Sequence, residues 1–62
     1  MRKPYVCRLG GATHLAVARS QDQVETYVRF FHGSIDEISW PEYWALRAKK
    51  VADGLNPFEL SQ

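Results

Sequence analysis

The sequence predicts a small α+β domain of order β-β-α-β-α, with a three-stranded antiparallel sheet and both helices packed on one face. Three observations carry this expectation. Apolar residues alternate on either side of Gly10-Gly11, which is the period of a β-hairpin. Ser20 and Ser39 are each followed three residues later by Gln23 or Glu42, and each opens a stretch of apolar residues at helical spacing. Between those stretches, the β-branched run Ser34 to Ile38 has room for a third strand.

The hairpin comes first. From Lys3 to Leu9, Tyr5, Cys7 and Leu9 fall on one face, with Val6 and Arg8 on the other. From Thr13 to Ala18, Thr13, Leu15 and Val17 share a face. The turn length sets the register. A two-residue Gly10-Gly11 turn pairs Cys7 with His14 and Val6 with Leu15. A three-residue turn that includes Ala12 pairs Cys7 with Leu15 and Tyr5 with Val17. A slip of one residue moves every side chain to the opposite face. The three-residue turn gathers the larger apolar side chains on one face and leaves Arg8 and His14 on the other, so it is the expected register.

The helices follow. Ser20 and Gln23 form a capping box, and Asp22 places a carboxylate in the first turn, where the helix dipole favours it. Val24, Tyr27, Val28 and Phe31 form one apolar stripe, Phe30 lies on its flank, and Gly33 is the expected stop. In the third strand, Ile35 and Ile38 point to opposite faces, which predicts a bulge or other irregularity. Ser39 and Glu42 form the second capping box, and Pro41 sits in the first turn, where its missing N–H costs nothing. Trp44, Ala48, Val51 and Leu55 then form the expected inward stripe, with Ala45 and Ala52 beside it and Gly54 as the stop. Residues 56–62 read as a non-helical tail carrying Phe58 and Leu60. A third strand beside the first gives strand order 2-1-3, with both helices over the apolar face.

Composition bounds the function. A chain of 62 residues is a single domain, 1–62. A domain of that length buries only about 60% of the surface its unfolded chain exposes. Hydrophobic residues make up 45%, and two tryptophans, three tyrosines and three phenylalanines are enough for a core. The net charge is +1, without the strong basic bias of a nucleic-acid binder or the acidity of a DNA mimic. A single cysteine excludes an intramolecular disulfide. Without a staple, so short a chain gains from a homodimer or from a partner that supports its fold. No apolar stretch follows Arg2 and Lys3, and none approaches the ~18 residues of a membrane span, so a cytoplasmic location is expected.

No residue set points to catalysis. Cys7 and His14 are the one nucleophile–base pair to weigh, but no third group orients the base. A buried cysteine acting as a small hydrophobe is the simpler reading. Cys7, His14 and His32 are scattered singles without metal-ligand spacing. Asp36 and Glu37 are neighbours on a strand, so their carboxylates diverge. Gly10-Gly11 leads into a strand and lacks phosphate-loop spacing. The chain is therefore read as a non-enzyme with no cofactor and no metal.

Two surfaces remain. In the expected fold, Tyr43 and Leu46 lie outside the inward stripe, Trp40 opens the second helix, and Asp36, Glu37 and Glu42 lie nearby. Exposed aromatics among carboxylates suit a protein partner with a basic surface, so Asp36, Glu37, Trp40, Glu42, Tyr43 and Leu46 are the expected partner-binding residues. The alternative is a small nucleic-acid-binding module. Lys3, Arg8 and His14 on an outer sheet face, with Lys49 and Lys50 on the second helix, would contact phosphates. No aromatic platform for bases accompanies them, and a solvated basic face is the plainer reading.

The stretch Tyr5-Val6-Cys7, Gly10-Gly11, then Leu15 to Val24 and Val28, is a hairpin running into a capped helix. It resembles short accessory proteins of phages and integrative elements, anti-CRISPR proteins among them. The resemblance covers the N-terminal half, and Trp40-Pro41-Glu42-Tyr43-Trp44 has no counterpart in it. It implies stoichiometric inhibition of a host protein complex. Many anti-CRISPR proteins are acidic, and the charge of +1 departs from that habit, which argues against DNA mimicry.

Overall fold

A computed structural model describes residues 1–30, 32–49 and 55–60. It is a small α+β fold of order β1 (Lys3–Leu9), β2 (Ala12–Ala18), α1 (Gln21–Tyr27), β3 (Gly33–Glu37), α2 (Trp40–Ala48) and β4 (Asn56–Glu59). The sheet has four strands in the order β3-β1-β2-β4. β1 is antiparallel to both β2 and β3, and β4 runs parallel to β2. The sheet is thus mixed rather than purely antiparallel, and most of the expected tail is its fourth strand. The expected order 2-1-3 is present within it.

The hairpin turns on two residues. Gly10 and Gly11 have φ of 55° and 84°, the left-handed pair a type I′ turn needs, and its twist matches that of the strands it joins. The register therefore pairs Cys7 with His14, Val6 with Leu15 and Tyr5 with Ala16, and the three-residue turn is corrected. An Asn at the first turn position also suits this geometry, so Gly10→Asn is expected to leave stability nearly unchanged. Gly11→Val should cost about 1–2 kcal/mol. Urea denaturation midpoints compare the two, and equal midpoints would contradict the turn type.

This register makes both faces of the hairpin apolar. Tyr5, Cys7, Leu9, Ala16 and Ala18 form one buried cluster with Val24 and Val28, joined by Ile35, Phe58 and Leu60. Leu15, Val17, Tyr43 and Leu55 form a second, joined by Val6, Ile38 and Leu46. α1 covers the first face and α2 the second, so the expectation of both helices on one face is overturned. Chain direction explains why. The crossover through α1 steps from β2 to β3, and the crossover through α2 steps back from β3 to β4. Two crossovers of the same hand that step in opposite directions lay their helices on opposite faces. The same layering accommodates Ile35 and Ile38 without a bulge, since β3 keeps a continuous register with β1 and each isoleucine meets its own cluster.

Both helices start where the capping boxes place them. The Gln23 N–H donates to the Ser20 hydroxyl at 3.3 Å, and the Arg19 N–H donates to the Gln23 side chain at 2.8 Å. The Glu42 N–H donates to the Ser39 hydroxyl at 3.2 Å. Both helices are shorter than expected, with C-caps at Val28 and Lys49. Phe31, Lys50, Val51, Ala52 and Gly54 lie outside the described residues.

Candidate functional site

The N-terminal turns of α2 carry the principal aromatic cluster. Tyr43 is only 1% exposed, packed with Leu15, Val17 and Leu55. Trp44, expected in the core, is 55% exposed, and Trp40 is 39% exposed. The inward stripe is therefore Tyr43 and Leu46, and the tryptophans lie outside it. Trp40 and Trp44 stack one turn apart with centroids 6.3 Å from each other, and each meets Tyr43 edge-on, at 5.3 and 5.1 Å. The Arg47 guanidinium lies 5.4 Å from the Trp44 ring, and its Nη1 donates to the Tyr43 hydroxyl at 3.3 Å. The buried tyrosine and the cation together hold the outer indole in place.

The expected partner-binding residues divide accordingly. Trp40 and Glu42 are exposed on α2, while Asp36 and Glu37 are exposed on β3. Asp36 pairs with Val6 and so lies on the α2 side of the sheet; Glu37 pairs with Tyr5 and lies on the α1 side. Leu46 is half-buried and Tyr43 fully buried, so both belong to the core rather than to an exposed surface. Trp44 and Arg47 are the surface residues the sequence reading missed. The signal for Trp44 is its i, i+4 spacing from Trp40, which is as regular as the stripe of Trp44 and Ala48.

The basic residues do not share a face. Arg8 pairs with Thr13 on the α2 side, whereas Lys3 and His14 lie on the α1 side. Lys49 is exposed at the end of α2. The expected outer basic sheet face does not exist, because each face of the sheet carries a helix.

A second aromatic cluster lies on the α1 side, where β4 brings Phe58 beside Ala16. Phe58 stacks on Tyr27 at 5.2 Å and meets His14 edge-on at 6.3 Å. With Leu9 and Val28 these rings line a cavity of about 260 Å3. Tyr27 is 62% exposed and Phe30 82% exposed, so Tyr27 is not the core residue its stripe suggested. The Arg29 guanidinium lies 4.9 Å from the Phe30 ring.

The register does bring Cys7 opposite His14, but Cys7 is fully buried. Burial first, and the Asp36 charge second, push its thiol from an ordinary value of 9.0 up to about 11. A thiol so raised is protonated at neutral pH and is no nucleophile. Burial first, and Glu37 second, likewise raise the Tyr5 hydroxyl. Both shifts favour the folded state while the groups are protonated. That stability is complete below the unfolded thiol value and is lost as pH rises through about 11. Stability is expected to fall by roughly 2 kcal/mol between pH 8 and pH 10.5, and Cys7→Ala should remove most of that slope. Denaturant titrations at the two pH values measure it, and an unchanged slope in the variant would refute the burial account.

Among the described residues, no three His, Cys, Asp or Glu side chains group to hold a metal ion. No described helix is long and apolar enough to cross a membrane. No family model matches the chain, and no curated protein or solved structure is significantly similar to it.

Proposed function

We propose that the protein is a small non-catalytic protein-binding module that acts by occupying a partner's surface. The observation that carries this reading is the stacked, exposed pair Trp40 and Trp44 on adjacent turns of α2. Large aromatic side chains held in place before binding lose little entropy when a partner covers them, and tryptophan and arginine dominate binding energies at interfaces. Arg47 lies against Trp44, and the Glu42 and Asp36 carboxylates lie on the same side of the sheet. They suit a partner surface with an apolar pocket and a basic rim. The resemblance to phage and mobile-element accessory proteins fits a host protein complex as that partner, inhibited stoichiometrically.

Affinity capture from host lysate, with and without nuclease, tests the reading. One host complex retained near stoichiometry after nuclease is the expected result. Trp44→Ala should weaken that capture by about 30-fold or more while costing no more than about 1 kcal/mol of stability. Capture that disappears with nuclease would instead favour nucleic-acid binding, with a steep salt dependence.

A further inference from the structure

The sheet has two edge strands, β3 and β4. β4 carries Pro57, which lacks an N–H and makes a poor template for another strand. β3 is different. The Ile38 N–H donates to the Pro4 carbonyl at 3.1 Å, and the His32 carbonyl accepts from the Gly10 N–H at 3.1 Å. Backbone direction alternates along an antiparallel strand, so Ser34 and Asp36 also turn toward β1. The N–H and C=O groups of Ile35 and Glu37 therefore point out of the sheet, and no described residue pairs with them.

A groove of about 290 Å3 runs beside this edge, between β3 and α1. Gln21, Glu25 and Arg29 line its helix side, and Val28, Gly33 and Ile35 complete it. Gln21 and Glu25 lie one turn apart and are joined by a 3.1 Å hydrogen bond. An open strand edge beside a helix-walled groove can receive an extended chain: main-chain bonds supply affinity, and the groove sorts alternate side chains.

We infer that the β3 edge and the groove under α1 take an extended basic segment of a partner protein, added to the sheet as a fifth strand. Charge selects the occupant. The side chain added opposite Ile35 enters the groove against Ile35 and Val28 and is apolar. The one opposite Glu37 lies on the same face, near the carboxylate, and is basic. The residue between them meets Asp36 on the other face and is also basic. Glu25 adds a third carboxylate, and Arg29 is the one cation among the described residues that line the groove. A second copy of this chain would bring its own Glu25, Asp36 and Glu37 to the same edge, and like charges crowded there oppose that pairing. The inference deepens the protein-binding reading; it shares Asp36 with the Trp40–Trp44 surface, but its strand edge and its groove on the α1 side lie apart from the stacked indoles, so each can fail alone.

The test is amide NMR of the full chain titrated with the capped heptapeptide Lys-Lys-Val-Lys-Lys-Val-Lys, and with the same peptide bearing Glu for each Lys. The lysine peptide is expected to shift the amides of Ile35 and Glu37 and to slow their hydrogen exchange by about tenfold or more. The glutamate peptide should do neither, and added salt should weaken the effect. Glu37→Pro removes an outward N–H and the carboxylate while leaving the β1 pairing intact, so it should abolish the response at the Ile35 amide, with amides beyond the neighbouring residues unchanged. Asp36→Lys combined with Glu37→Lys should reverse the peptide preference. Unperturbed Ile35 and Glu37 amides at millimolar lysine peptide would overturn the inference. So would protection of both amides in the free protein that grows with protein concentration, since a second copy would then hold the edge. Loss of partner capture in Trp44→Ala, with no peptide response in the native chain, would retain the binding module and reject this site.

Discussion

Tyr43→Ala is expected to cost about 3–5 kcal/mol of stability. A 62-residue domain has about 3–9 kcal/mol in total, so roughly a third or more of its stability should be lost. The ring fills the space between the sheet and α2, against Leu15, Val17 and Leu55. Its removal leaves a cavity under a helix that has little else to anchor it, because Leu46 is only half-buried and Ala45 and Ala48 are exposed. Tyr43→Phe keeps the ring and loses one hydrogen bond from Arg47, so about 1 kcal/mol is expected there. Urea unfolding followed by tryptophan fluorescence separates these cases. If Trp44→Ala proves costlier than Tyr43→Ala, α2 presents its Trp44 stripe to the sheet and the surface proposed for binding does not exist.

Gly33→Ala should be comparably damaging. A β-carbon at this position would collide with the Arg8 carbonyl oxygen and lie 3.1 Å from the Leu9 α-carbon. Both are backbone atoms of β1, a strand paired on both sides, so relief requires breaking a ladder rather than turning a side chain. A loss of about 3 kcal/mol or more is expected, with the Ser34 and Asp36 amides losing their protection from exchange first. Ser34→Ala, one residue on and exposed, should stay within about 0.5 kcal/mol of the native chain. A stable Gly33→Ala variant with its β3 amides still protected would mean that the strand does not approach β1 this closely.

Several features were legible in the sequence for local reasons. The hairpin strands, both serine caps and the position of β3 follow from period, capping chemistry and turn residues within a few positions of each other. The misread features share one cause. The three-residue turn is the expected one only because it makes one face apolar, and that criterion assumes a sheet with a single covered face. Ile35 and Ile38 predict an irregular strand under the same assumption. A sheet with a helix on each face needs two apolar faces, and a type I′ turn through Gly10-Gly11 produces them.

The candidate site shows the same division. Residues 40–48 carry two regular stripes, Trp40 with Trp44 and Tyr43 with Leu46, and periodicity assigns no preference between them. The choice is made by the volume between Leu15, Val17 and Leu55, which takes one tyrosine ring and leaves both indoles outside. Phe58 is equally illegible, because its place beside His14 and Tyr27 depends on a parallel pairing between β2 and β4, about 40 residues apart in the chain.

By itself, the sequence determined the α+β class, where both helices and the first strand begin, and that its one thiol has no disulfide partner within these 62 residues. The tertiary structure alone decided the fourth strand, which side of the sheet each helix covers, and which aromatics face outward. The physical reason is range. Caps, turns and strand alternation are set by neighbours in the chain, whereas side-chain exposure is set by what packs across the sheet, and here those partners lie on both sides of it.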